Sequence, residues 1–369
     1  MTSADDVREF IDGRVVPAEP VLARGGPPAR AALAELRAAA RAAGLWALPL
    51  PAALGGAGLT PTRYAPLARA EGRSDFGPAA LGSDLLLDAT MLDAHGTPAV
   101  RDAYLAPLLT GDHPPSFAMT EPGVAGTDPA ALACAAARDG DHWVITGRKW
   151  FTSRAADAAF TTVVCRTAPD ALSLLVVPTG APGYRIVREL PVLGAGGQYE
   201  IALDAVRVPA DHLLGEPGAG LRLIGARLAL GRTLRCLRWL GQADRAHELM
   251  LHRMRHRRVG AGPLADRQLL HGYVFANHAE LLAATAATDA AVAAVESGAD
   301  TRIAVATAKV LTARAYAAIV DRAIQVHGAE GLSDDTPLAL LHRTARAARI
   351  LDGPDELHIT TVARRLLRG

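Results

Sequence analysis

The feature that most constrains the fold is a change of sequence pattern near His113 and a second change near Gly218. Between them, residues 116–214 carry short runs rich in β-branched residues, separated by turns that contain Gly, Pro and Asp. The runs are HWVIT at 142–146, FTTVVC at 160–165, LSLLVV at 172–177, and two shorter ones at 199–203 and 206–208. Short strands at regular spacing are typical of a small antiparallel barrel or sandwich. We predict a central antiparallel β-barrel domain at residues 115–215.

The residues on both sides of this segment have the Ala/Leu spacing of helices. Before it, helical stretches are predicted at 31–43, 61–71, 85–92 and 101–109, with a Pro/Gly-rich loop at 48–58. After it, the segments 221–254, 268–296, 301–327 and 337–350 have lengths that suit an antiparallel bundle. The prediction is an N-terminal all-α domain at residues 1–114 and a C-terminal four-helix bundle at residues 216–369.

Charge and cysteine usage exclude several classes of protein. The 369 residues have a formal net charge of +1, which gives no electrostatic reason to expect nucleic acid or an anionic membrane as a partner. Cys134, Cys165 and Cys236 form no CxxC pair and no Cys/His cluster, which argues against a disulfide framework and a metal site. The N-terminus has no signal-peptide apolar region, and charges break the apolar stretches. We expect a cytoplasmic protein without a membrane span.

Two segments in the middle of the chain contain groups that can bind a ligand. Residues 117–128 read FAMTEPGVAGTD, where the amides of a Gly-rich turn and the threonine hydroxyls can bind a polar ring edge or an anion. Residues 147–153 read GRKWFTS, where aromatic side chains beside hydroxyls can cover a flat heterocycle. A plain turn and ordinary core aromatics have the same composition, and from the residues alone these structural interpretations are favoured.

A third segment, QVHGAEG at 325–331, follows a long predicted helix. Gly328 and Gly331 fit the end of that helix, and they also fit a close approach of the backbone to a ligand. The residues do not decide between these two interpretations.

The fourth segment, ILDGPDELH at 350–358, contains a carboxylate next to a helix break. Gly353 and Pro354 end one helix, and the acidic pair that follows can begin the next. Asp352 lies just before the break and is flanked by Ile350 and Leu351. A carboxylate in an apolar setting can serve as a general base, and an aspartate that only stabilises the turn is the alternative.

Taken together and in this order, the four segments resemble the acyl-CoA dehydrogenase family. The matches are MTEP with the aspartate that follows it, GRKWFTS, VRVPADHLLGEPGAG at 206–220, and AIQVHGAEG followed by DGPDE. The resemblance runs from about residue 7 to residue 367 and is closest to the subgroup that includes human family members ten and eleven. It implies the layout of helices, β domain and four-helix bundle predicted above.

The resemblance implies FAD as the cofactor, lying across a subunit interface in a homodimer or homotetramer. On the family pattern Phe117, Met119 and Thr120 line the flavin, with Thr120 bonded to the ring near N5 and O4. Phe151 stands where most members have Trp, and Ser153 where most have Thr.

The resemblance also assigns residues to the rest of the FAD molecule and to the pantetheine arm of the substrate. Arg257 corresponds to an arginine that meets the FAD phosphates from the neighbouring subunit, although the Phe-Gly pair that usually follows it is Gly260-Ala261 here. Thr127 matches a residue near the pantetheine arm of the substrate. The remaining cofactor-binding positions are Gln325, Gly328, Ala329 (where Gly is usual) and Gly353.

Asp352 falls on the catalytic glutamate of the family and is one methylene shorter. Some relatives carry the base just before the arginine of an L-x-x-x-R segment, where this chain has Gly231 before Arg232. The resemblance therefore makes Asp352 the base that removes the α-proton of an acyl thioester while the flavin N5 accepts the β-hydride. Arg232 is expected to position the substrate or the carboxylate.

The predicted activity is FAD-dependent α,β-dehydrogenation of an acyl-CoA or of an acyl group on a carrier protein. The electrons are expected to pass to an electron-transfer flavoprotein or to oxygen. Two alternatives stay open: a flavin-dependent oxidase or monooxygenase on the same fold, against which the carboxylate of Asp352 argues, and a non-catalytic flavin-binding subunit.

Overall fold

Helices form the N-terminal part of the protein, which we describe from a computed structural model over residues 2–193 and 195–368. The helices are α1 (Ala4–Phe10), α2 (Val16–Leu22), α3 (Gly26–Ala42), α4 (Pro61–Glu71), α5 (Gly77–Leu81), α6 (Leu86–His95), α7 (Pro98–Val100) and α8 (Ala106–Leu109). Thr60 caps α4 through its side chain, and Pro61 stands at the first helical position, where a missing N–H costs nothing. These signals explain where the helix predicted at 61–71 begins, and Gly72 follows its last residue.

The middle of the chain is an eight-stranded sheet. Its strands are β1 (Pro115–Ala118), β2 (Ala135–Asp139), β3 (His142–Ser153), β4 (Phe160–Ala168), β5 (Ala171–Pro178), β6 (Tyr184–Glu189), β7 (Gln198–Pro209) and β8 (Leu213–Leu214). The strand order is β6-β7-β3-β2-β4-β5-β8, with β1 paired to β4. The predicted β-rich middle domain is confirmed.

The sheet differs from the predicted antiparallel barrel in two respects. It stays open between β6 and β8, because β8 has only two residues and pairs only with β5. It is also not wholly antiparallel, because β4 pairs in parallel with β1 and, at one residue pair, with β2. Parallel pairing of β1 and β4 is possible because more than a dozen residues separate the two strands.

The C-terminal part is again helical. Its helices are α9 (Gly220–His256), α10 (Gln268–Ser297), α11 (Arg302–His327), α12 (Leu338–Ala348) and α13 (Asp355–Arg368), with a small hairpin of β9 (Arg258–Val259) and β10 (Gly262–Pro263) after α9. The central helix is α11, which packs on α9, α10, α12 and α13. This arrangement confirms the predicted helical C-terminal domain, and α13 packs on α11 as a fifth helix. The domain limits 1–114, 115–215 and 216–369 stay predictions.

Within residues 2–193 and 195–368, one helical segment has the length and composition that could cross a membrane. It comprises α11 and the turn after it, residues 302–332, and 61% of its apolar stretch is buried against the rest of the chain. The central helix of a helix bundle has the same length and composition, and α11 is such a helix.

Two glycines allow α4 and α9 to pack backbone against backbone. A Cβ atom at Gly241 of α9 would lie 2.0 Å from the carbonyl oxygen of Arg69 in α4. A Cβ atom at Gly72, which ends α4, would lie 2.3 Å from the Cα atom of Arg238. The N-terminal helices are thereby held directly on the helix that carries the candidate site.

Gly241→Ala is therefore expected to lower the free energy of unfolding by about 1–3 kcal/mol, because the added methyl group forces the two helices apart. Gly225→Ala on the same helix is the matched control. Gly225 is exposed and has no atom within 4 Å of an added Cβ, so this change should be neutral or stabilise the protein by up to about 1 kcal/mol. Thermal denaturation of both variants checks the prediction, and equal melting temperatures would contradict it.

Candidate active site

One stretch of α9 touches two of the predicted site segments. The guanidinium of Arg227 lies 4.6 Å from the centre of the Phe117 ring and forms an ion pair of 3.0 Å with Asp88. Arg232 contacts the turn that carries Asp352. Arg227 and Arg232 are five residues apart, about 7.5 Å along the helix axis, so β1 with Phe117 and the turn with Asp352 contact α9 at levels close to each other.

The turn between α12 and α13 holds Asp352 in an unusual backbone conformation. Its φ angle is +56°, in the left-handed region that costs a non-glycine residue about 1–2 kcal/mol. Its main-chain carbonyl accepts two hydrogen bonds, from Arg232 Nε at 2.8 Å and from His358 Nε2 at 3.2 Å. Gly353 follows with φ +103°, and a Cβ atom there would lie 2.9 Å from Leu357 and 3.0 Å from His358. Gly353 is thus required by the turn itself.

The start of α13 is fixed by a buried aspartate. The Asp355 carboxylate is 1% exposed and accepts hydrogen bonds from Lys309 at 3.4 Å, Arg314 at 3.2 Å and Arg349 at 2.9 Å. Burial alone would raise the pKa of Asp355, but these cationic donors outweigh it and hold the pKa below its usual value. The turn 352–354 is therefore attached to a rigid helix start.

The surroundings of the Asp352 carboxylate differ from the apolar setting that was expected. Ile350 and Leu351 are exposed at 57% and 38%, and Oδ2 of Asp352 accepts a hydrogen bond from Arg235 Nε at 3.1 Å. Arg232 and Arg235 of α9 contact the aspartate, so arginines from another helix, rather than its apolar neighbours in the sequence, form its environment. Among the residues that the structure describes, Oδ1 of Asp352 accepts no hydrogen bond. The alternative base position, Gly231, faces Leu87, which lies 3.1 Å from an added Cβ.

The residues predicted to line the flavin, called the flavin wall below, lie at the end of β1 and on β3. They are Phe117, Met119, Thr120, Phe151 and Ser153. Phe117 and Met119 are half-buried and pack against the main core. Thr120 is joined to Trp150 twice: its Oγ1–H donates to the Trp150 carbonyl at 2.9 Å, and the Trp150 N–H donates to the Thr120 carbonyl at 3.0 Å. The hydroxyl hydrogen of Thr120 is thus used within the protein, and only its oxygen lone pair is open to the flavin bond that the family pattern predicts.

The wall continues on β3, where Phe151 and Ser153 lie on one exposed side and Thr152 is buried between them. Phe151 is 48% exposed and has φ +48°, at an irregularity in the pairing of β3 with β7. The Ser153 hydroxyl bonds with the side chain of Gln198. An exposed ring beside a hydroxyl fits a flat, polar-edged heterocycle. Arg227, which lies above the Phe117 ring, also fits such a ligand. Its Nη1 atom is buried and has no hydrogen-bond partner among the described residues, so a polar atom of a ligand can accept its hydrogen.

A buried ion pair fixes this wall from behind. Lys149 Nζ is fully buried and donates to Glu121 Oε1 at 2.7 Å and to the Met119 carbonyl at 2.8 Å. The same carboxylate accepts the backbone N–H groups of Ala133 and Cys134. Burial would raise the pKa of Glu121, but the lysine and the two amides hold it below its usual value.

The other predicted cofactor residues lie at the far end of the bundle. Arg253 on α9 donates to the His327 carbonyl and pairs with Glu330 at 2.8 Å, which brings the end of α9 to the end of α11. The exposed residues there are Arg257, Gln325, Gly328 and Ala329. Along α9, Arg257 is about 37 Å from Arg232. Within one chain, the predicted adenine-end residues at the end of the bundle therefore lie far from the turn that carries Asp352. Thr127 is exposed in the loop between β1 and β2.

Several site residues were missed from the sequence. Arg235 follows Arg232 by three positions on a predicted helix, and this spacing places both on one face, so it could have been found. Arg227 and Lys149 are recognisable only through their partners Phe117 and Glu121, which are distant in sequence. His358 belongs to the segment ILDGPDELH, but its sequence context gives it no role.

The fold and the site together define a flavin-type oxidoreductase with a helical, β and helical layout. Comparison with known families agrees with this class. The family models for the acyl-CoA dehydrogenase N-terminal, middle and C-terminal domains match residues 2–112, 116–206 and 218–367. The chain belongs to the acyl-CoA dehydrogenase family. The predicted family, the enzyme class acting on CH–CH groups and FAD as cofactor are thereby confirmed.

Individual relatives support the same assignment. FadE2 of Mycobacterium tuberculosis, named as an acyl-CoA dehydrogenase, is 41% identical over 89% of this chain and 84% of its own length. Human acyl-CoA dehydrogenase family member 11 is 33% identical over 90% of this chain, which spans only 45% of that protein. A structure from Mycobacterium abscessus, described as that of an acyl-CoA dehydrogenase, is 34% identical over 99% of this chain and 97% of its own, with a TM-score of 0.92. The predicted likeness to the subgroup of family members ten and eleven is confirmed.

Proposed function

We propose that this chain removes a hydrogen from each of Cα and Cβ of an acyl thioester and that Asp352 takes the α-proton. The observation that carries the proposal is that α9 contacts both parts of the site. Arg227 covers Phe117, and Arg235, about 12 Å further along the same helix, binds the carboxylate of Asp352.

The geometry of Asp352 suits proton removal. Its Oδ1 atom accepts no hydrogen bond from the described residues and is open to a substrate C–H. Its backbone N–H likewise has no acceptor in the described part of the chain. On the family pattern this N–H donates to the thioester carbonyl, where negative charge develops as the α-proton leaves. Arg232 fixes the base from α9, as expected for a positioning residue.

We propose that FAD is held at its flavin end by Phe117, Met119, Thr120, Phe151 and Ser153. When bound, FAD supplies the acceptor for the two electrons that leave with the β-hydrogen. The adenine end would be held by Arg257, Gln325, Gly328 and Ala329 of a second copy, because within one chain these residues are too far from the flavin wall. Because the FAD site would then be shared between two copies of the chain, we propose a homodimer or homotetramer.

The chemistry leaves the carrier of the acyl group open between coenzyme A and a carrier protein. Both end in the same pantetheine arm, for which Thr127 is the proposed contact. An electron-transfer flavoprotein or oxygen would reoxidise the flavin, and the cytoplasm is the proposed compartment. Because the chain spans about half of family member 11, activities of that whole protein are not carried over.

Anaerobic mixing of the FAD-loaded protein with acyl thioesters tests the proposal. Straight-chain acyl-CoAs of several lengths, and the same acyl groups on a carrier protein, are compared by loss of the visible absorbance of oxidised flavin. We expect at least one class to bleach the flavin and to yield the α,β-unsaturated thioester. Absence of bleaching by every thioester would reject the proposal. Hydroxylation that depends on NAD(P)H and oxygen would favour a monooxygenase instead.

A further inference from the structure

His358 of α13 is a buried polar side chain that the proposed chemistry does not use. It is 3% exposed, and its Nε2 atom lies 3.2 Å from the main-chain carbonyl of Asp352. A carbonyl oxygen can only accept, so Nε2 carries the hydrogen and donates it. Arg232 Nε donates to the same oxygen at 2.8 Å, and the two bonds occupy both lone pairs of this carbonyl.

The two donors come from different helices, so together they hold the Asp352 carbonyl in one direction. Arg232 belongs to α9, and His358 belongs to α13, whose first residue Asp355 is fixed by three cations. A left-handed backbone at an aspartate persists only where its surroundings determine it. A single donor would leave the turn free to rotate about one contact, whereas two donors from two packed helices fix the carbonyl direction.

The imidazole is suited to this role because it is neutral at neutral pH. Burial, together with the charges of Arg232 on α9 and Lys309 on α11, lowers the pKa of His358 to about 4. The carbonyl and the carboxylate of Asp352 act weakly in the opposite direction. A neutral donor adds no further positive charge beside the carboxylate that Arg235 already neutralises.

We propose that His358 is a positioning residue for the dehydrogenation: through Nε2–H it holds the main chain of Asp352 so that the carboxylate is aimed at the substrate α-carbon. The inference rests on the proposed function of Asp352. It predicts that the donor at position 358 matters for the chemical step, whereas a residue that merely fills space there would matter for stability only.

His358→Gln and His358→Met separate these two possibilities, since the side chains have similar length and only Gln carries an N–H donor. We expect His358→Met to lower kcat for thioester dehydrogenation about 10- to 100-fold, because small misplacements of a catalytic group have effects of this size. KM and FAD content should stay close to the wild-type values. His358→Gln should recover most of the rate. His247→Leu, a half-buried histidine of the same bundle bonded to Asn277, should leave kcat unchanged.

Equal kcat values for the Met variant and the wild-type enzyme would overturn the inference, as would equal losses in the Gln and Met variants. Should His358→Met yield no folded protein, His358→Asn replaces it, because its amide is one methylene too short to reach the carbonyl, and the same loss is expected. Asp352→Asn is measured in parallel. If that variant is fully active, the proposed function itself has failed. If it is inactive while His358→Met is unimpaired, only the positioning role is rejected.

Discussion

Asp352→Asn should slow the reduction of bound flavin by an acyl thioester by about 10²- to 10⁴-fold, the usual contribution of a general base. The amide has nearly the shape of the carboxylate, and its oxygen can still accept the hydrogen bond from Arg235. It cannot take a proton at neutral pH. The main-chain bonds from Arg232 and His358 do not involve the side chain and should remain. FAD content should be unchanged, because Asp352 lies outside the flavin wall on β1 and β3.

The rate of anaerobic flavin bleaching is the measurement, with FAD content and melting temperature determined on the same samples. Glu356→Gln is the matched control: Glu356 is an exposed carboxylate in the first turn of α13, and its loss should not change the rate. Asp352→Ala should behave like the Asn variant, whereas Asp352→Glu keeps a base and should retain part of the activity. Full dehydrogenation by the Asn or Ala variant would show that another group removes the α-proton.

The helices and strands that could be predicted are those with local signals. The helix predicted to start at residue 268 begins there, and the strand predicted at residue 160 begins at Phe160. The helical stretch from Ala4 to Leu22 was not predicted, because Gly13, Pro17 and Pro20 interrupt its pattern and a π-helical turn joins its two parts. Strand β2, with the sequence AAARD, has little intrinsic β preference, and its conformation follows from its pairing with β3.

The same distinction applies to the site. Asp352 could be found because a helix break and a family pattern mark it in the sequence. The way in which it is held could not be predicted, because its donors come from α9 and α13, and Arg232 is 120 positions away in the chain. The separation of Arg257 from Arg232 could be anticipated, because the helix predicted at 221–254 already has nearly the length of α9.

Lys149→Met is the change with the largest expected effect on stability, a loss of about 3–5 kcal/mol in the free energy of unfolding. The lysine is completely buried and is the cationic partner of Glu121, which is also buried. Removing it leaves an uncompensated carboxylate in the interior, with only the amides of Ala133 and Cys134 as donors. Protonation of Glu121 would relieve the charge, so the loss should shrink as the pH is lowered.

A surface ion pair of the same sheet provides the control. Arg207 on β7 pairs with Asp139 on β2, and their side chains are 50% and 61% exposed. Arg207→Met should therefore cost less than about 1 kcal/mol. The midpoints of denaturant unfolding of both variants give the comparison. If the two variants lose equal stability, the buried pair contributes no more than a surface pair and the interpretation is wrong.

The double variant Lys149→Met/Glu121→Gln distinguishes the cost of the unpaired charge from the loss of packing. Glutamine carries no charge, so the double variant should be more stable than Lys149→Met alone. Its single oxygen can accept the amide of either Ala133 or Cys134 but not both, because these amides donate to different oxygens of Glu121, so the recovery should be partial. Neither variant restores the hydrogen bond from Nζ to the Met119 carbonyl, which ties the end of β1 to β3. Both should therefore bind FAD more weakly than the wild-type protein, even where stability is partly recovered. Recovery of stability together with full FAD binding would show that Lys149 supports the fold but does not position the flavin wall.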